Sequence, residues 1–179
     1  MEATYHSTAQ NEPHRSQGGT EHAVYRNDEQ GVYAVATSMN GASGVPTPAA
    51  LFIELVTRNA GSLNLLLSSE DDSAVGARVK RGMTQLFGKA SELVRRLHSA
   101  AGSATASATL VVLNGEQAAV AHVGDTRGYL VREGRVVRLS RDHVPTGDED
   151  SAVAGGGLTR AIGQAQPLQP DVACFAARG

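Results

Sequence analysis

Short apolar runs separated by turn-forming residues predict the strands of this chain. Two runs lie in the first third, on either side of a polar stretch that ends in Gly31. Two more flank Asn114-Gly115, a dipeptide typical of tight hairpin turns, and a second hairpin is predicted around Glu133-Gly134. The predicted strands are 23–25, 32–36, 108–114, 117–123, 127–132, 135–139 and 172–177.

Two longer segments repeat their apolar residues at steps of three and four, which is the period of an amphipathic helix. The first spans 45–59 and has Pro46 and Pro48 in its first turn, where proline is tolerated. The second spans 75–101, and its Lys and Arg side chains indicate a solvated face. The connecting segment 60–74 is interpreted as a polar loop.

The composition is that of one globular domain. The chain has 179 residues, of which 41% are apolar, and 16 Lys and Arg against 18 Asp and Glu give a net charge of −2. This balance offers no electrostatic argument for binding nucleic acid or an anionic membrane. No apolar segment is long enough to span a bilayer, and the N-terminus lacks the apolar stretch of a signal peptide. We therefore expect a cytoplasmic protein.

The N-terminal stretch and the single cysteine add two smaller expectations. Residues 1–19 are polar and lack an apolar period, so they predict a flexible tail in front of a domain that spans 20–179. The one cysteine, Cys174, excludes a disulfide within the chain. Because Cys174 lies in an apolar run, we predict a buried, unreactive thiol.

Three polar motifs follow one another in the second half of the chain, with a predicted hairpin between the first two. They are Gly124-Asp125-Thr126-Arg127, Arg141-Asp142-His143 and Leu158-Thr159-Arg160-Ala161-Ile162-Gly163. In sequence and order they resemble the metal-dependent protein phosphatase family (PPM, or protein phosphatase type 2C). Members of that family carry Gly-Asp-Ser-Arg, a hairpin, Arg-Asp-His and Leu-Thr-Arg-Ala-Leu-Gly. The order makes the match specific, and the resemblance covers about 20–177.

The resemblance implies an α+β fold. In the family it is an α-β-β-α sandwich of antiparallel sheets flanked by helices. The family domain continues beyond the point that corresponds to Gly179, so the expected fold is incomplete at its C-terminus.

The resemblance also implies a metal site, because family members hydrolyse phosphoserine and phosphothreonine esters with two or more Mn²⁺ or Mg²⁺ ions. Such ions need several carboxylate oxygens close together, and in the family these come from four places along the chain. At the first place this sequence has His22 instead of the aspartate. At the second it has Thr37 and Ser38 instead of an aspartate and a glycine, and the other two places lie beyond Gly179.

After these replacements the resemblance leaves Glu21, His22 and Asp125 as candidate metal ligands. Asp125 corresponds to an aspartate that serves an accessory third metal in some relatives. An acid at a glycine-bounded strand end also suits the capping of a turn through backbone N–H groups, so both roles stay open for Asp125. Arg15 is the nearest candidate for the family's phosphate-binding arginine. Turn and ion-pair roles are expected for Arg127, Arg141, Asp142 and Arg160.

These observations lead to a functional hypothesis with two alternatives. The hypothesis is a serine/threonine phosphatase-like domain that is catalytically impaired or inactive and acts as a regulatory or phosphoprotein-binding module. Its expected partner is a phosphoprotein, a kinase or another regulatory protein, with no nucleic acid and no membrane. The first alternative is an active Mn²⁺- or Mg²⁺-dependent phosphatase with an altered site. The second is a chain with no function of its own.

Overall fold

The computed structural model describes residues 14–15, 21–40, 44–68, 72–98, 104–145, 157–164 and 167–177. In chain order the elements are β1 (His14–Arg15), β2 (Glu21–Asn27), β3 (Val32–Met39), α1 (Pro48–Leu65), α2 (Asp72–Leu97), β4 (Thr105–Asn114), β5 (Gln117–Val123), β6 (Tyr129–Arg132), β7 (Arg135–Arg138) and β8 (Asp171–Ala176).

Six of the strands form one antiparallel sheet in the order β1-β2-β3-β4-β5-β8, and β6 pairs with β7 in a separate two-stranded sheet. The register places Thr37 between His22 of β2 and Ser107 of β4. Two residues further along β4, Thr109 pairs with His122 of β5, and His122 pairs in turn with Asp171 of β8. Residues in register point to the same face of a sheet, so all six of these side chains share one face.

The opposite face carries the hydrophobic core. In β3, Val32, Ala34 and Ala36 are buried at every second position, which is the pattern of a strand with one covered face. Helix α1 packs across β2, β3 and β4, and α2 packs beside α1 and reaches β8. The two helices meet through Phe52 and Phe87, whose rings lie 4.9 Å apart. The small alanines of β3 let the helices approach the sheet closely.

The hairpin β6–β7 lies over part of the second face. The hydroxyl of Thr126, just before β6, hydrogen-bonds the hydroxyl of Thr109 at 2.8 Å. At the far end of β6, Arg132 donates to the carbonyl of Ala176 in β8 at 2.9 Å. The described residues therefore form a helical layer, a six-stranded sheet and a small second sheet. The predicted α+β fold with antiparallel sheets and helices is confirmed.

The helix and strand boundaries correct several predictions. Helix α1 begins after Thr47, whose side chain accepts a hydrogen bond from the Ala50 N–H at 3.3 Å. It continues to Leu65, so the predicted polar loop is wrong for its first residues, because Ala60 and Leu63 are buried in the core. Strand β4 starts at Thr105 and includes part of the small-residue stretch before 108.

The chain ends differ from expectation at two points. His14 and Arg15 form β1 and pair with His22 and Glu21 of β2, while the rest of the predicted tail lies outside the described residues. Cys174 is exposed, so the buried-thiol prediction is wrong, because β8 is the outermost strand of the sheet. The partial burial that remains raises the pKa of this thiol. None of the helices in the described ranges is long and apolar enough to cross a membrane.

Candidate functional site

Four polar residues lie in a line across the second face of the large sheet. His22, Thr37 and Ser107 come from β2, β3 and β4, and Asp125 comes from the turn that follows β5. We call these four residues the polar row. The His22 Nδ1 atom lies 2.9 Å from the Thr37 hydroxyl. The Ser107 hydroxyl donates to Asp125 Oδ1 at 2.5 Å and accepts from the Asp125 N–H at 3.2 Å. The row therefore consists of two hydrogen-bonded pairs.

The Asp125 half of the row depends on a tight turn at Gly124. This glycine has φ +95°, a left-handed conformation that side chains disfavour. A Cβ atom at Gly124 would lie 2.1 Å from the Ser107 hydroxyl oxygen. The turn can thus bring Asp125 over Ser107 only because position 124 has no side chain.

Two histidines fix the backbone of this turn. The Gly124 N–H donates to His143 Nδ1 at 3.0 Å, and the Gly124 carbonyl accepts from the His143 N–H at 2.8 Å and from His122 Nε2 at 3.0 Å. Because His143 Nδ1 accepts, the proton of the neutral ring is on Nε2, which lies 3.0 Å from Asp171 Oδ2. Every ring nitrogen of the two histidines therefore has a hydrogen-bond partner once Thr109 is included.

The environment of His122 keeps it neutral. Its Nε2 donates to a carbonyl, so its Nδ1 accepts from the Thr109 hydroxyl at 3.0 Å, and Thr109 in turn contacts Thr126. Burial lowers the pKa of His122, and the neighbouring His143 ring, with centroids 5.0 Å apart, lowers it further. The pair of rings is thus arranged for a structural role around the turn.

Ion pairs complete the surroundings of the turn. Burial raises the pKa of Asp171, but hydrogen bonds from Arg160 at 2.7 Å and from His143 outweigh it, so the pKa lies below its ordinary value. Arg127 donates to Asp142 from Nε at 3.0 Å and from Nη2 at 2.6 Å, and this contact raises the pKa of Arg127. The expected ion-pair roles are confirmed for Arg127, Asp142 and Arg160.

The other sequence candidates do not join the polar row. The Ser38 side chain points to the helices, where it accepts from the Ala49 N–H at the start of α1 at 2.7 Å. Glu21 is the register partner of Ser38, so it lies on that same helix-facing side. Arg15 lies in β1 opposite Glu21. The structure thus brings together His22 with Thr37, and Asp125 with Ser107, but separates Glu21 and Ser38 from them.

The donors of the row do not fit a centre of two hard divalent cations. In the described parts of the chain, no group of three or more His, Cys, Asp or Glu side chains could hold a metal ion. The row contains one carboxylate, Asp125, and its Oδ1 already accepts from Ser107. Mn²⁺ and Mg²⁺ sites are built from several oxygen ligands, mainly carboxylates, which imidazole and hydroxyl groups do not replace.

Sequence reasoning missed several residues that shape this site. Ser107 lies just before the predicted strand 108–114, and only the strand register reveals its position. His122 was detectable, because a polar residue inside the apolar strand Gln117–Val123 signals a buried hydrogen-bonded group. No sequence pattern indicates that Asp171 belongs to the site, because its partners His143 and Arg160 are distant in sequence.

Comparison with known proteins identifies the family. The family model described as Protein phosphatase 2C matches residues 27–151, more than half of the chain. A rice protein (Oryza sativa subsp. japonica) named "Putative protein phosphatase 2C 63" is 34% identical over 109 residues, which cover 52% of this chain. The chain spans about half, 48%, of the length of that curated relative.

Solved structures agree on the fold. The catalytic domain of the serine/threonine phosphatase PstP, in complex with two manganese ions, has a TM-score of 0.67 at 17% identity and covers 94% of this chain and 71% of its own. Stp1 from Staphylococcus aureus has a TM-score of 0.59 at 13% identity, over 98% of this chain and 74% of its own. Together with the family match, these findings show that the chain belongs to the protein phosphatase 2C family.

Proposed function

We propose that this chain is a serine/threonine phosphatase-type domain that no longer hydrolyses phosphoesters and acts as a regulatory module that binds a phosphoprotein. The family supplies the substrate class, since its members act on phosphorylated serine and threonine. The side chains of the polar row do not fit a two-metal centre, and this is the basis for proposing that catalysis is lost.

The observation that supports the proposal most directly is the hydrogen bond between His22 and Thr37. By the resemblance, both positions would hold aspartates that bind metal. Adjacent positions on β2 and β3 instead carry an imidazole and a hydroxyl that bond each other at 2.9 Å. Thr37 offers no carboxylate to bridge two cations, and a bimetal centre is what lowers the pKa of the attacking water. A fold can persist when its site has changed.

The Asp125 side of the row supports a retained scaffold. Its turn is held by Ser107, His122 and His143, all of them buried, through hydrogen bonds of ordinary length. Buried polar groups that all have partners keep this part of the fold ordered. An ordered phosphatase-type domain can still recognise a phosphorylated segment at its surface without cleaving it.

The test is phosphate release from a phosphothreonine peptide, measured with the purified chain in the presence of Mn²⁺. We expect release at the rate of the buffer blank, while an active phosphatase of the same family, run in parallel, shows turnover. Mn²⁺-dependent release that disappears in Asp125→Asn would contradict the proposal and establish an active enzyme with an altered site. His22→Ala tested beside it would show whether both halves of the row take part.

A further inference from the structure

The hairpin β6–β7 exposes an unusual share of apolar surface. The described residues contain eight exposed large hydrophobic side chains, and four of them lie in this hairpin. They are Tyr129, Val131, Val136 and Val137. The turn residues Glu133 and Gly134 both have positive φ, 49° and 72°, as in the two-residue turns that make a tight hairpin. Clustered exposed apolar residues of this kind mark interaction surfaces.

The register of the hairpin divides these residues between two faces. Val131 pairs with Val136, and Tyr129 pairs with Arg138, so these four share a face, which we call the outer hairpin face. Val131 is 69% and Val136 65% exposed. The opposite face carries Arg132, which reaches β8. Strand β7 is exposed at all four of its positions and is therefore the accessible strand.

The base of the outer hairpin face has an excess of positive charge. Arg127 and Arg138 both form ion pairs with the single carboxylate of Asp142. Asp142 is 2% exposed, whereas the two arginine side chains are 40% and 35% exposed. Two guanidinium groups on one carboxylate leave one positive charge that faces solvent. Guanidinium groups bind phosphate oxygens through several N–H donors at once.

We propose that the outer hairpin face binds an extended segment of a protein partner that carries a phosphorylated serine or threonine, laid alongside β7. The phosphate contacts Arg138 and Arg127, and an apolar side chain two residues away packs against Val136. Side chains two residues apart in a strand lie roughly 7 Å apart on one face, which matches the spacing from Arg138 to Val136. This inference rests on the proposed function and names the surface that performs it.

The test is fluorescence anisotropy with labelled pentapeptides, in a chelating buffer so that hydrolysis plays no part. The main probe has phosphothreonine and valine two positions apart. Three matched probes place the two residues next to each other, lack the phosphate, or replace phosphothreonine with glutamate. We expect the main probe to bind about tenfold more tightly than each of the others.

Variants locate the binding surface. Val136→Gln is expected to weaken binding of the main probe about tenfold, because it removes the apolar contact without adding a charge beside the phosphate. Leu65→Gln is the matched control, since Leu65 is 64% exposed at the end of α1 and should leave binding unchanged. Thermal melts of both variants check that they fold.

The possible results separate the inference from the proposed function. If the glutamate probe binds as tightly as the main probe, the surface does not specifically recognise a phosphate group, and the inference is wrong on that point. Binding that survives Val136→Gln but is lost in Thr37→Gln would show that the hairpin surface is wrong, and would keep the proposed function. Failure of all four peptides to bind would overturn the inference, whereas the hydrolysis assay decides the loss of catalysis separately.

Discussion

The two halves of the polar row differ in how firmly the fold holds them. In the half formed by β2 and β3, His22 is exposed, Thr37 is half-buried, and one hydrogen bond joins them. In the half formed by β4 and β5, Ser107 is buried and exchanges two hydrogen bonds with Asp125. The adjoining turn is held further by His122 and His143.

This difference separates what the fold requires from what catalysis requires. Gly124 and Asp125 belong to a motif typical of the family, and the structure gives both a role in shaping a turn. A chain can therefore keep this motif for structural reasons after catalysis has been lost. In the exposed half, one hydrogen bond joins His22 and Thr37, and it is there that the family resemblance would place metal-binding acids. The family motifs that remain indicate the scaffold and do not by themselves indicate activity.

The largest effect that tests this comparison is expected from Gly124→Ala. The added Cβ would lie 2.1 Å from the Ser107 oxygen and 2.8 Å from the Ser107 Cα atom, in a left-handed backbone conformation. Steric overlap and backbone strain together should lower the free energy of unfolding by at least about 3 kcal/mol. Urea denaturation followed by circular dichroism measures this loss.

Gly134→Ala is the control for the Gly124 variant. Gly134 also has positive φ, 72°, but a Cβ there would meet nothing within 4 Å. Only the cost of placing an alanine in a left-handed backbone conformation remains, so we expect the free energy of unfolding to fall by about 1 kcal/mol. Equal losses in the two variants would show that the packing of Gly124 against Ser107 contributes nothing.

A direct comparison of the two halves comes from removing one hydroxyl in each. Ser107→Ala leaves the N–H and the carboxylate of the half-buried Asp125 without their shared partner, and should lower the free energy of unfolding by about 1–2 kcal/mol. Thr37→Val removes a half-exposed hydroxyl and keeps the shape of the side chain, so less than about 1 kcal/mol is expected. The decisive result is that Ser107→Ala lowers the free energy of unfolding more than Thr37→Val does. A larger loss in Thr37→Val would contradict the conclusion that the Ser107–Asp125 half is held more firmly.

The smallest expected effect is a dependence of stability on pH. The pKa of His122 lies below its ordinary value of about 6.5 in the folded chain, so the unfolded chain binds more protons as pH falls below that value. Stability is therefore full above pH 6.5 and decreases below it, towards the lowered pKa. Chemical denaturation at a series of pH values should show this slope.

Two variants assign the pH effect. His122→Gln should flatten the slope between pH 6.5 and more acidic values, even if it changes the overall stability. Thr37→Val alters the other half of the row without removing a titratable group and should leave the slope as in the parent chain. A slope that survives His122→Gln would mean that another group is responsible.

The sequence predicted most of the scaffold because local patterns determine it. Alternation in Val32–Met39 and the Asn114-Gly115 turn follow from strand and turn chemistry. The end of α1 was missed because Gly61, Ser62 and Asn64 look like loop residues, and only tertiary burial of Leu63 shows that the helix continues. Burial in the core can override the local secondary-structure propensity of a residue.

The site was predictable only in part. The family resemblance singled out His22, Thr37 and Asp125, but which side chains they contact is seen only in the structure. The partner of Asp125 was not predicted, since Ser107 lies 18 residues away and meets it through strand register. Which face Glu21 and Ser38 occupy likewise depends on the register, which a sequence pattern does not specify in advance.

Calorimetric titration of the folded chain with Mn²⁺, beside the double variant His22→Asp/Thr37→Asp, is the most direct test of the proposed loss of the metal centre. We expect no saturable binding to the parent chain. We expect saturable binding to the double variant, because two carboxylates then stand opposite each other on β2 and β3. Saturable binding of two ions by the parent chain, with hydrolysis of a phosphopeptide in the same sample, would contradict the proposal.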